Sequence, residues 1–462
     1  MKADTYVLEQ EKIGTAMIRL AAPSVMVSVI SLIYELINSF YIGQLNNTAM
    51  LASISLSATL TLLITKIGEA VGIGAASYLG RQLGAKQEHV TYEIVRTTLS
   101  FVALFSILFT LAALLILNPY ITWQTMDSAV IHYGRLYGGI MILFAGCTSL
   151  YTACIQLFRA VGDVKYPMIV MGVSVILNII LDPLLMFDFG LGLGVVGAAI
   201  ASAAAQLSAL FLCLYRLAAK KTALSWKLFD FHIEWTMIRE IFSVGFAVYM
   251  RNLMSSLAIL VFTKVVFIYG VDFAAGCNVG KFTMYFVNFF IQGVANGYLP
   301  LASFTYGARN YQRLWDAVVW NIRILSGYSF AAIILVGMFA EPFVGLFTGG
   351  KMAGIYGAQY LKAYNGSLPV YSLYYMITIT LQAAGKGRES MILSLFRQGI
   401  IYVPLLILLS QTLGQTGVFY AQPCADWITV LTALFLSRSL IHEIIVGKEK
   451  QKLKAFVKER HV

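Results

Sequence analysis

Twelve mainly apolar stretches, most of them twenty residues or longer, leave this chain few ways to fold. They run at 16–42, 49–80, 92–117, 133–158, 166–187 and 194–218, then at 240–268, 275–304, 317–340, 357–384, 390–411 and 417–440. The hydrocarbon core of a bilayer takes about 20 apolar residues per helix. Lipid offers no hydrogen bonds, so a spanning segment must bond its own backbone, as a helix does. The chain is 59% hydrophobic and only 12% charged, whereas soluble domains carry about 25% charge. A water-soluble fold cannot hide this much apolar surface. The predicted class is an all-α integral membrane protein of twelve transmembrane helices.

The chain also repeats itself. Gly84-Ala85-Lys86 returns as Gly307-Ala308-Arg309, and Gly162 as Gly385, both 223 residues later. Pro183-Leu184-Leu185 returns as Pro404-Leu405-Leu406. Six spans per half is an even number, so both halves enter the membrane in the same sense. They are expected to be two six-helix lobes related by a pseudo-two-fold axis along the membrane normal. The predicted division is 1–219 for the N-terminal lobe, 220–239 for a cytoplasmic linker, and 240–462 for the C-terminal lobe with a basic tail.

The net charge of +11 raises the question of nucleic acid or anionic lipid, and its distribution answers it. The two termini and the even-numbered loops with their helix ends hold 26 of the 33 Lys and Arg residues. The loops at 43–48, 118–132, 188–193, 269–274 and 412–416 hold none. By the positive-inside rule both termini are cytoplasmic, and the basic charge sets orientation. A nucleic-acid partner is therefore not expected. The linker's Trp226, Phe229, Phe231 and Trp235 suggest an interfacial segment, and the tail from Lys448 to Arg460 a solvated one within reach of lipid. No cleavable leader is expected, because the apolar stretch after Glu11 is too long for one. The five cysteines are scattered and read as small apolar residues.

Two motifs imitate nucleotide sites. Gly192-Leu193-Gly194-Val195-Val196-Gly197 fits G-x-G-x-x-G, but no strand precedes it and no acid follows at the required distance. A tight outer turn and close helix packing explain it better. Gly345 to Lys351 resembles a phosphate loop with Met352 where Ser or Thr is needed. No cofactor is expected beyond H⁺ or Na⁺ as a coupling ion, and no enzyme, since no catalytic or metal-binding constellation appears. A channel is disfavoured because channels more naturally use rings of identical subunits.

A charge at a helix centre costs about 2.5–3.5 kcal/mol on insertion scales, so those that remain are functional candidates. The acids are Glu35, Glu69, Asp182 and Asp426; the bases are Lys66, Arg251, Lys264 and Lys281. Glu35 and Asn38 share a face of span one, and Asn178 and Asp182 a face of span five. If those spans touch, the four groups form an oxygen-rich pocket for Na⁺ or a proton. Lys66 and Glu69 are spaced for a salt bridge. Lys281, Tyr285, Asn288 and Gln292 form a polar stripe on span eight, with Arg251 facing a cavity or paired across the lobes. Tyr371, Tyr374 and Tyr375 either line that cavity or pack as core.

With these residues in view, the chain resembles the MATE (multidrug and toxic compound extrusion) transporters of the MOP flippase superfamily. The run Asn178-Ile179-Ile180-Leu181-Asp182-Pro183-Leu184-Leu185, continuing to Gly197-Ala198-Ala199-Ile200-Ala201-Ser202, is the most specific match. Ile42-Gly43, Gly84-Ala85-Lys86 and Tyr306-Gly307-Ala308-Arg309-Asn310 also fit. The resemblance implies a V-shaped cavity between lobes, alternating access, and export of a small amphipathic compound against H⁺ or Na⁺ by a monomer in the plasma or inner membrane. It implies a cation-coupling site at Asn178, Asp182 and Ser202. Where the family has an aspartate on span one, this chain has Asn38, and Glu35 one turn earlier is expected to supply the carboxylate. The substrate cavity is expected to involve Lys66, Glu69, Arg251, Lys281, Tyr285, Asn288 and Gln292. Because bases match acids in number and gather in the second lobe, a flippase of a lipid-type or anionic amphiphile is the alternative.

Overall fold

The computed structural model describes residues 2–45, 47–219, 224, 230–347 and 351–460. These residues form helices and no strand. The helices are α1 (Lys2–Glu9), α2 (Ile13–Gln44), α3 (Thr48–Gly84), α4 (Thr91–Gln124), α5 (Ser128–Ala160), α6 (Lys165–Met186), α7 (Val195–Ala218) and α8 (Trp235–Ile268). They continue with α9 (Val271–Gly307), α10 (Tyr311–Gly345), α11 (Lys351–Asn365), α12 (Leu368–Ala383), α13 (Gly387–Leu395), α14 (Tyr402–Leu413) and α15 (Gln415–Arg460). A π-helical turn, Phe396–Ile401, joins α13 to α14.

Ten helical segments among the described residues are long and apolar enough to cross a membrane. The protein is therefore multi-pass. Leu115, Phe211, Met338 and Leu431 are each at least 65% exposed, which water would penalise and acyl chains welcome. The remaining expected spans coincide with α9 and with the α11–α12 pair, which breaks at Gly366-Ser367. α8 begins at Trp235, so Trp235 and Arg239 belong to a helix rather than to the linker. Most of that linker, including Trp226 and Phe229, lies outside the described residues, as do positions 348–350 of the phosphate-loop imitation.

The chain forms two compact units. One holds Met26–Gln82 and Gln87–Gly245 with the first six residues; the other holds Val7–Val25, Leu83–Lys86 and Phe246–Val462. α2 thus contributes to both, changing unit just after Pro23, which removes one backbone donor from the helix. In the first unit, Leu60 and Ile64 of α3 pack with Leu117 and Ile121 of α4 and Ile142 of α5. The Ser149 hydroxyl donates to the Ile64 carbonyl at 2.6 Å, joining α5 to α3. Asp127 caps α5 by accepting from the amides of Ala129 and Val130, an arrangement worth about 1 kcal/mol.

The repeat is written into the backbone. Lys86 and Arg309 both adopt left-handed φ, +61° and +52°. Gly162 and Gly385 do so at +87° and +77°, and Gly194 and Gly414 at +57° and +62°. Three turns of one half therefore recur at equivalent places in the other. The G-x-G-x-x-G stretch is one of them: Gly192 and Gly194 make the turn, and Gly197 lies in α7 against the backbone of Leu185.

Candidate functional site

Asn178 and Asp182 lie one turn apart on α6, and both are sealed: Asn178 is 1% exposed and Asp182 is 0% exposed. The Asn178 amide donates to Asp182 Oδ1 at 3.3 Å and reaches Ser202 Oγ on α7 at 3.5 Å. Asp182 Oδ2 is buried without a hydrogen-bond partner among the described residues. Pro183 follows directly, and its missing N–H leaves the Ile179 carbonyl without a helical donor. A carboxylate, an amide and a hydroxyl thus meet within two helices of otherwise apolar sequence. Oxygen ligands of this kind suit a hard cation, and the unpaired carboxylate oxygen suits a proton.

α2 meets this cluster through a residue the sequence reading missed. The Tyr34 hydroxyl bonds to Ser202, and its ring lies in the field of Asp182. Tyr137 of α5 lies in the same field. Tyr34 is four residues before Asn38, so the polar face of span one contains the signal. Glu35 is the next residue along, and consecutive positions on a helix diverge by about 100°. Glu35 is exposed as a residue, and its carboxylate acts with Lys66 of α3. Asn38 is half-buried, its amide oxygen without a hydrogen bond among the described residues.

Lys66 and Glu69 form the expected ion pair at 2.7 Å. Glu69 also acts on Arg159, which is buried at the end of α5 and bonds Gln156 at 3.4 Å. In the second unit, Lys281 Nζ stands 3.9 Å from the ring centre of Phe262. Tyr285 is exposed, Asn288 buried and Gln292 half-buried. Arg251 stands 5.6 Å over the Tyr375 ring, and Lys264 is exposed. Asp426 is fully buried and paired with Arg397 at 2.9 Å. Sequence reasoning counted Arg159 and Arg397 among the cytoplasmic loop charges; both lie inside helical bundles.

Comparison with known proteins adds the family. The family model described as MatE matches residues 23–184 and 247–408, once in each half. The chain belongs to the MatE family. This MatE chain is 26% identical over 96% of its length to the Multidrug export protein MepA of Staphylococcus haemolyticus, covering 97% of that protein. It is 28% identical over 93% of its length to the protein of the same name from Staphylococcus aureus, covering 95% of it. A crystal structure of MATE in complex with MaL6 has the same fold, with a TM-score of 0.90 over 96% of this chain and 99% of the other, at 22% identity. Family membership agrees with the expectation of a transporter rather than an enzyme.

Proposed function

We propose that the protein is a secondary active antiporter that exports amphipathic organic compounds in exchange for H⁺ or Na⁺. The observation that carries this reading is the sealed Asp182 with its unbonded Oδ2, its Asn178 and Ser202 neighbours, and, among the described residues, no basic side chain bonded to it. An isolated charge in so apolar a place costs several kcal/mol unless it is neutralised or paired. Asp182 is therefore stable when protonated, or when a cation sits among its oxygen neighbours. Either form couples occupancy of the site to an ion gradient. The relatives named multidrug export protein MepA support a drug-like substrate.

The topology proposed with it has twelve spans in two six-helix lobes that alternate access, with both termini cytoplasmic. It counts α9 and the α11–α12 pair alongside the ten strongly apolar segments. In this reading Glu35 and Asn38 support the coupling site, with Glu35 interacting with Lys66. The test is uptake of an amphipathic dye into inverted vesicles, driven separately by a pH gradient and by a Na⁺ gradient. Asp182→Asn is expected to abolish gradient-driven transport at unchanged membrane abundance. Wild-type rates in that variant would remove Asp182 from the mechanism.

A further inference from the structure

The second unit contains a buried cationic assembly that the Asp182 chemistry does not use. Arg397 sits in the π-helical turn, a wide turn that recurs at functional positions in helices. It meets Asp426 of α15 through Nε alone, at 2.9 Å. Asp426 is otherwise saturated: Gln422 donates to Oδ1 at 2.9 Å and Ser367, at the α11–α12 break, donates to Oδ2 at 3.0 Å. Three donors fix that carboxylate in position as the partner of Arg397.

Tyr364 also bonds the guanidinium, so one nitrogen of its outer edge is left over. Nη2 is buried and has no hydrogen bond among the described residues. The Arg397 side chain keeps 9% of its surface accessible, while Asp426 keeps none. Arg397 Cζ stands 4.4 Å from the Tyr371 ring centre and 5.3 Å from that of Tyr374. Tyr371 in turn lies 5.7 Å from Tyr375, whose other neighbour is Arg251 at 5.6 Å. Two guanidinium groups therefore bracket a pair of tyrosines. Each of the two rings already has a cation over one face. Lys281 adds a further base, with no ion pair among the described residues.

Such an assembly repels cations and recognises oxyanions, which accept charge-assisted hydrogen bonds from a guanidinium. The geometry points to a binding site in the second unit for the carboxylate or sulfonate of an amphipathic anion, received by Nη2 of Arg397, with Asp426 as the positioning residue that orients the guanidinium. This deepens the transport reading and rests on it for the role of the bound anion. It assigns the substrate's charged end to one unit and the coupling ion to the other.

The experiment measures binding without any gradient, on the full-length protein in lipid nanodiscs, by equilibrium dialysis of 2-naphthoate against its neutral isostere 2-naphthamide. A charge-assisted bond predicts roughly tenfold or greater preference for the anion. The Arg397→Gln variant alone strands a buried carboxylate and risks misfolding. The Arg397→Gln/Asp426→Asn pair removes both charges and is the variant to test. It is expected to bind 2-naphthamide as the wild type does and to lose the anion preference. Asp426→Asn alone keeps the preference or raises it. A wild type without anion preference, or a double variant that retains it, overturns the proposal. Dye efflux is measured in parallel, so a chain that binds 2-naphthoate selectively but shows no coupled efflux would defeat the transport reading and leave the site standing.

Discussion

Asp182 and Asp426 are both fully buried, yet their surroundings make them opposite in kind. Asp426 takes three donors, one of them an arginine; Asp182 has one weakly placed amide and an unbonded oxygen. The first is fully engaged by its donors, and the second keeps an oxygen open. Tyr34 marks the difference further, because its hydroxyl reaches the Asp182 cluster by way of Ser202. Tyr34→Phe deletes that hydroxyl and keeps the ring. Coupled efflux is expected to fall several-fold, while thermal stability changes by no more than about 1 kcal/mol, the net worth of one hydrogen bond. Unchanged efflux would show that the hydroxyl plays no part. Asn178 and Asp182 were legible because a four-residue spacing of polar groups stands out in an apolar run. Tyr34 was not, because a tyrosine in a span reads equally well as packing. Arg397 was hidden by its position: a base near the cytoplasmic end of a run counts toward orientation before it counts toward a site.

At the scale of helices, apolar run length and positive-inside spacing located most elements to within a few residues. The π-helical turn at Phe396–Ile401 and the break at Gly366-Ser367 escaped, the second although Gly366 and Pro369 in the first turn of α12 mark it locally. The repeated turns were visible as glycines, and the packing behind them explains two of those glycines. A Cβ on Gly197 would stand 2.4 Å from the Leu185 carbonyl oxygen, and one on Gly417 would stand 1.9 Å from that of Leu409. Both contacts bring a helix start against the preceding helix end, α7 on α6 and α15 on α14. Alanine at either position must push backbone apart, at a cost of about 1–3 kcal/mol. Gly139 and Gly172, inside α5 and α6, have open space where a Cβ would stand, with nothing within 4 Å. There alanine is expected to be neutral or to stabilise by up to about 1 kcal/mol through helix propensity. Melting of the purified variants checks the contrast. Equal melting of Gly197→Ala, Gly417→Ala and Gly172→Ala would mean that the close approaches do not govern stability.

For the molecule as a whole, the distribution of charge makes a claim that no single helix makes. Twenty-six of 33 basic residues fall on one side of the predicted topology, and five of the six opposite loops hold none. Each Lys or Arg carried across a bilayer resists insertion, so the summed bias favours one orientation strongly. The same argument assigns Met126, 97% exposed at the break between α4 and α5, to the outer face. It assigns Lys450, exposed near the end of α15, to the cytoplasm. In a background with the five native cysteines replaced, Met126→Cys is expected to react with a membrane-impermeant maleimide on intact cells. Lys450→Cys is expected to react only after permeabilisation. The reverse pattern would invert every span, place the Asn178–Asp182 end of α6 toward the cytoplasm, and require the ion to bind from the side opposite to the one an inward-driven antiporter needs.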